Sequence, residues 1–176
     1  MSTSPTHVTY TEPWLRGTHT DVPAAGRAVL HALELAHEDI LKWIDGLSEA
    51  EVHAQPLGLP AVAFHIKHIA RSIDRILTYA EGNQLSAEQL AGMKAEQTGA
   101  ETLGDLLVEL TGSFRNAAPR IIYLASGDYN TPRAVGRKQL PTSLGGALIH
   151  VADHTQRHTG QIVTTAKALK ALRAEA

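Results

Sequence analysis

Apolar residues recur at intervals of three and four along four long stretches of the chain, the spacing that keeps one face of a helix against a core. From Asp21, a helix-capping type with Pro23 in the first turn, the stripe runs Val29, Leu30, Leu33, Ala36, Ile40, Trp43, Ile44 and Leu47, loosened at its end by Gly46. A second stripe, Val62, Ile66, Ile69, Ile73, Ile76, Leu77 and Ala80, predicts a helix from Pro60 to the stop at Glu81-Gly82-Asn83. The third spans Thr102 to Ala125 through Leu103, Leu106, Leu107, Leu110, Phe114, Ile121, Ile122 and Leu124, with Pro119 predicting a kink or a division. The fourth starts near Thr142 or Ser143 and carries Leu144, Leu148, Val151, Ala152, Ile162, Val163, Ala166 and Leu169.

Between these stripes the signals are short. Ser48 with Glu51, and Ser86 with Gln89, match the capping box and predict brief helices in the connections. Residues 126–143, SGDYNTPRAVGRKQLPTS, read as an irregular crossing because of their glycines and prolines. Residues 1–20 show no period and form an irregular arm, with Tyr10 and Trp14 as the rings expected to pin it to the surface. Four long amphipathic helices imply an all-α four-helix bundle, one domain over residues 21–176.

Composition narrows the chemistry. A chain of 176 residues buries a core without staples, so a metal here would serve chemistry rather than folding. The chain has no cysteine, which removes disulfides, thiolate metal sites and cysteine nucleophiles and fits a reducing, cytoplasmic setting. A net charge of −2 steers it toward neither nucleic acid nor anionic lipid. No export signal or membrane-length apolar run is visible, so no nucleic-acid partner and no membrane are expected. Any metal site must draw on His, Asp or Glu.

Histidine supplies the candidates. Residues 150–158 read HVADHTQRH, three of the chain's ten histidines, each one turn after the last. With about 100° of turn per residue, His158 falls within roughly 60° of the apolar centre near Thr155 and Ile162, His154 about 100° away, and His150 about 140° away. Two imidazoles at i and i+4 can chelate one divalent ion, but a site needs a third ligand. The second helix offers His65 and His68 in AFHIKHIARS, and the wheel favours His65, which lies nearer the centre of its stripe. His37, between Leu33 and Ile40, reads first as a hydrogen-bonded core residue or substrate contact. His7, His19, His31 and His53 read as surface or loop residues. Spacing alone leaves metal binding and a solvated stripe equally open.

The pairing of FHIKHIARSIDR on the second helix with LPTSLGGALIHVADHTQRHTGQI on the fourth resembles the DinB-like superfamily of small metal-binding four-helix proteins, over roughly residues 25–170. The resemblance implies an up-down-down-up bundle, commonly a homodimer. It makes His68, before Ile69-Ala70, a ligand together with His154 and His158, before Gly160-Gln161, against the wheel's preference for His65. It also implies one divalent ion, zinc or nickel first and iron next, and, in some relatives, enzymes that use low-molecular-weight thiols such as bacillithiol or mycothiol. With no cysteine of its own, the chain would take such a thiol as a cosubstrate.

Around the ligands, Asp74, Asp153 and Gln161 are candidates to accept or donate a hydrogen bond at the metal-bound rings, and His150 is a mouth residue. Arg71, Arg75, Arg137 and Lys138 are candidates to meet an anionic substrate. The leading expectation is a metal-dependent thiol S-transferase or hydrolase acting on a small electrophile. The competing one is a non-catalytic metal-binding or stress-related interaction protein.

Overall fold

The structure, a computed structural model, describes residues 10–175; His7 lies outside them. Four long helices carry the fold: α1 (Ala24–Ile44), α3 (Val62–Ala80), α5 (Leu103–Ala125) and α6 (Leu144–Ala174). Short helices α2 (Glu49–His53) and α4 (Ala87–Lys94) sit in the connections. The apolar stripes converge on one core, with Ile40, Ile66, Ile69, Leu106, Leu110, Ile121, Val151 and Ile162 fully buried. Removing such stripes from water is the main favourable term in folding.

Hydrogen bonds between helices give the directions. Gln156 donates to the Ala32 carbonyl (2.7 Å) and Arg173 to that of Gly46 (3.0 Å), so α6 runs parallel to α1. Ser113 donates to the Ala70 carbonyl (2.7 Å) and Arg120 to Glu81 (2.6 Å), so α5 runs parallel to α3. Thr165 donates to the Pro60 carbonyl (3.3 Å), while His65 lies 3.0 Å from His158 and His68 2.9 Å from His154, so α6 runs antiparallel to α3. The bundle is therefore up-down-down-up, as the resemblance implied, with α1 and α3 each packed between α5 and α6.

Local chemistry explains the element ends. Ser48, Ser86 and Thr102 each accept from the backbone N–H three residues on, while Glu51, Gln89 and Asp105 reach back to complete capping boxes. At the end of α3, the N–H groups of Gly82 and Asn83 donate to the carbonyls of Tyr79 and Thr78. That closure requires a left-handed residue, and Gly82 supplies it at φ +87°.

Several expectations need correction. Helix α1 begins at Ala24 with Pro23, not Asp21, at the capping position and no side-chain cap. Pro119 neither divides nor ends α5, because both it and Arg115, whose carbonyl loses its partner, face solvent. The 126–143 crossing contains an antiparallel hairpin, β1 (Pro132–Val135) against β2 (Leu140–Ser143), in register Val135 to Leu140. Arg133 pins it by donating to the Ala80 carbonyl.

The arm is held differently from expected. Trp14 is exposed, and among the described residues its indole N–H donates to Glu12 of its own segment. The attachment comes from Arg16 and the Tyr10 hydroxyl, both donating to Glu38, and from buried Pro13 and Val22. It covers His31, which is buried rather than at the surface and bonds the Thr18 hydroxyl (3.0 Å).

Helices α1 and α5 touch at Gly26, where a Cβ would lie 2.2 Å from Cβ of Ala125. Gly26→Ala is expected to destabilise the protein by about 1–3 kcal/mol through overpacking. Urea unfolding checks this, and an unchanged midpoint would show that the helices separate there freely.

Candidate metal centre

Because α3 and α6 run antiparallel, His65 and His68 meet the one-turn series on α6 in reverse order: His68 faces His154, and His65 faces His158. One atom from each of His68, His154 and His158 lies within 4.8 Å of the others. Nε2 of His68 is 2.9 Å from Nε2 of His154, and the His158 ring centre is 4.4 Å from that of His68 and 4.6 Å from that of His154. All three rings are half-buried. Among the described residues they form the group placed to hold a metal ion.

The remaining nitrogens have assigned tasks. Nδ1 of His68 lies 2.7 Å from Oε2 of Glu96. A carboxylate oxygen accepts, so Nδ1 carries a proton, and Nε2 is the nitrogen left on the side of His154. Glu96 is buried and its other oxygen accepts from the buried Arg75 guanidinium. Burial pushes the Glu96 carboxyl up, but the hydrogen bonds from His68 and Arg75 outweigh it and hold the group below the usual carboxylate range. Phe64 stacks on His68, with ring centres 5.5 Å apart and 20° between planes, and leaves that ring little freedom to turn.

The centre is poor in protons. Burial, reinforced by neighbouring histidines, pushes His65, His154 and His158 each down to about 4, so all three rings are neutral at pH 7. Neutral imidazoles offer lone pairs, which is the donor set that a divalent transition metal takes. Nitrogens bound at about 2.0–2.1 Å lie roughly 3.0–3.4 Å apart on one ion. The His68–His154 separation of 2.9 Å is close to that range, so the donors fit such an ion.

The other expected residues are distributed as follows. His150 is at the rim, its ring 5.2 Å from that of His154, with Asp153 2.8 Å from its Nδ1 in an exposed pair. Asp153 therefore serves the rim histidine. Asp74 pairs with Arg120 (2.7 Å) and Gln89 (2.6 Å), away from the cluster, and Gln161 is exposed. His37 sits between α1 and α5, bonded to the Thr111 hydroxyl (3.2 Å) and packed on Phe114. His65, favoured by the wheel, is indeed the innermost ring of its helix, yet it faces His158 rather than joining the group of three.

Of the basic candidates, Arg71 is spent on Glu109 and Arg75 on Glu96, while Arg137 and Lys138 lie at the exposed hairpin turn. Glu96 was not anticipated. It lies in the connection between α4 and α5, 28 residues from His68, and no spacing rule links two such positions.

The DinB superfamily family model matches residues 32–162, three-quarters of the chain and all three clustered histidines. The chain belongs to the DinB superfamily. No curated protein matches it. In this DinB protein the matched segment opens inside α1 and closes in α6, so the N-terminal strap over His31 lies outside it.

A cavity of about 610 Å³ has Phe64 and Glu96, the two neighbours of His68, in its wall beside Lys67, His53, Gln55 and Gln97, and none of the clustered histidines lines it. Lys67 is buried and donates to the Thr98 carbonyl and to Glu101 (3.1 Å), which ties the segment after α4 to α3 and so holds Glu96 in place.

The depressed histidines also set a pH dependence. They stay neutral in the fold down to about pH 4 but protonate near 6.5 when unfolded, so the unfolded chain binds more protons between those values. Metal-free stability is expected to fall as pH drops from 6.5 to 4. Urea midpoints measured across that range should decline less steeply in a His154→Ala/His158→Ala variant, and equal slopes would contradict the neutral cluster.

Proposed function

We propose that this protein binds one divalent transition metal ion through His68, His154 and His158 and acts as a metal-dependent thiol S-transferase or hydrolase on a small electrophile. The observation that carries the reading is the convergence of three ring nitrogens within 4.8 Å, in rings of which His154 and His158 are pushed down to about 4. Zinc and nickel are the first candidates and iron the next, since imidazole suits each of them.

His68, His154 and His158 would hold the ion through uncharged ring nitrogens, and an ion bound there would supply the Lewis acidity that brings a thiol or water to its anion near neutral pH. The protein's residues set the conditions for that chemistry. Glu96 keeps a proton on Nδ1 of His68 and thereby aims Nε2 at the centre. Phe64 stacks on the His68 ring and walls the site from one side. With no cysteine in the chain, a thiol nucleophile must come from a second substrate. His150, paired with Asp153 at the rim, is placed to meet what enters.

Metal analysis of purified protein tests the ligand set. Replacing His68, His154 or His158 singly with Ala is expected to reduce bound metal from near stoichiometric to trace, and full retention in any of the three would remove that residue from the set. For the reaction, zinc- or nickel-loaded protein is to be screened against electrophiles with several low-molecular-weight thiols and with water alone. Turnover above that of the triple-alanine variant supports the enzyme; none under any pairing favours a non-catalytic metal-binding protein.

A further inference from the structure

His65 has 1% of its surface exposed, and among the described residues its Nε2 has no hydrogen-bond partner. Its Nδ1 is 3.0 Å from Nδ1 of His158. Two neutral imidazoles at that distance share a single proton, so one ring donates and the other accepts. The choice decides what His158 can do. If His65 donates, the proton of His158 sits on Nε2, and that ring has no lone pair for the centre. If His158 donates from Nδ1, its Nε2 is bare.

We infer that His65 is a positioning residue for His158, accepting its Nδ1–H at 3.0 Å so that Nε2 of His158 is turned, unprotonated, to the metal centre. This rests on the metal-binding reading above. His65 then stands to His158 as Glu96 stands to His68, with one difference: Glu96 brings a charge and His65 brings none. Two acceptors of unlike charge make the two ligands unequal, since a carboxylate raises the basicity of its imidazole more than a neutral ring does.

The arrangement has a cost that points to a switch. With His65 accepting, its own proton lies on Nε2, a buried donor with no acceptor. Buried orphan N–H groups are rarer than under-satisfied acceptors. Without metal, the pair therefore favours the reverse, with His65 protonated on Nδ1 and His158 on Nε2. Metal binding moves the pair to His158 Nδ1–H and His65 Nε2–H. Each state holds two N–H protons, so the pair changes tautomer without gaining or losing one.

Zinc affinity and imidazole nitrogen NMR test this together. His65→Leu, which cannot accept, is expected to bind zinc about 10- to 100-fold more weakly than wild type, and His65→Gln, which offers a carbonyl oxygen, to recover to within about 3-fold. A leucine variant within about twofold of wild type, or a glutamine variant as weak as leucine, overturns the positioning role. In zinc-loaded wild type, nitrogen spectra should show His65 protonated on Nε2; protonation on Nδ1 overturns the role even if both variants fail to fold. Identical tautomers with and without zinc overturn the switch. Wild-type protein that binds no zinc overturns the metal-binding reading itself, an outcome separate from equal affinity in wild type and His65→Leu.

Discussion

Antiparallel packing of α3 on α6 is the constraint on which the histidine cluster depends. It opposes two residue series that are each regular on their own helix, so that His65 meets His158 and His68 meets His154. A parallel pairing would bring His65 toward His154 and break both contacts. The same packing withdraws the rings from water, and desolvation is the largest cause of the low values of His65, His154 and His158. Lone pairs are therefore available at neutral pH because of how two helices are stacked.

Burial at this site reaches beyond the rings. Glu96 and Arg75 are both nearly inaccessible, and a lone charge at either position would be costly. Together with His68 they form a chain in which each charge has a partner. Such a chain adds little net stability against an apolar replacement, but breaking it leaves an unpaired buried charge. Its contribution is orientation: Glu96 can hold only one tautomer of His68, and Lys67, bonded on either side of residues 98–101, holds the segment that carries Glu96.

The long helices were legible because each needs only its own periodicity, and the capping boxes because they span four residues. The hairpin was not, since Pro132 and Pro141 read as breakers; both fit because a two-stranded sheet is all edge. Of the two outcomes Pro119 allowed, the division does not occur, because whether it interrupts α5 depends on whether the freed carbonyl reaches water. His31 looked superficial because the segment that covers it, held by Arg16 on Glu38, has no period of its own. The wheel put His150 outermost, and it is exposed, but His154 and His158 are both half-buried and its ranking of His158 above His154 is not seen; it also ranked His65 above His68 for a role that burial does not decide.

By itself the sequence determined the helices, their apolar faces and the stock of imidazoles, because these follow from the spacing of residue types within a few turns. The family motif added His68, His154 and His158 as a set. Tertiary structure alone decided which partner each ring meets, since those partners come from other segments: Glu96 at Nδ1 of His68 and His65 at Nδ1 of His158. Such contacts run across the bundle, and no local spacing encodes them.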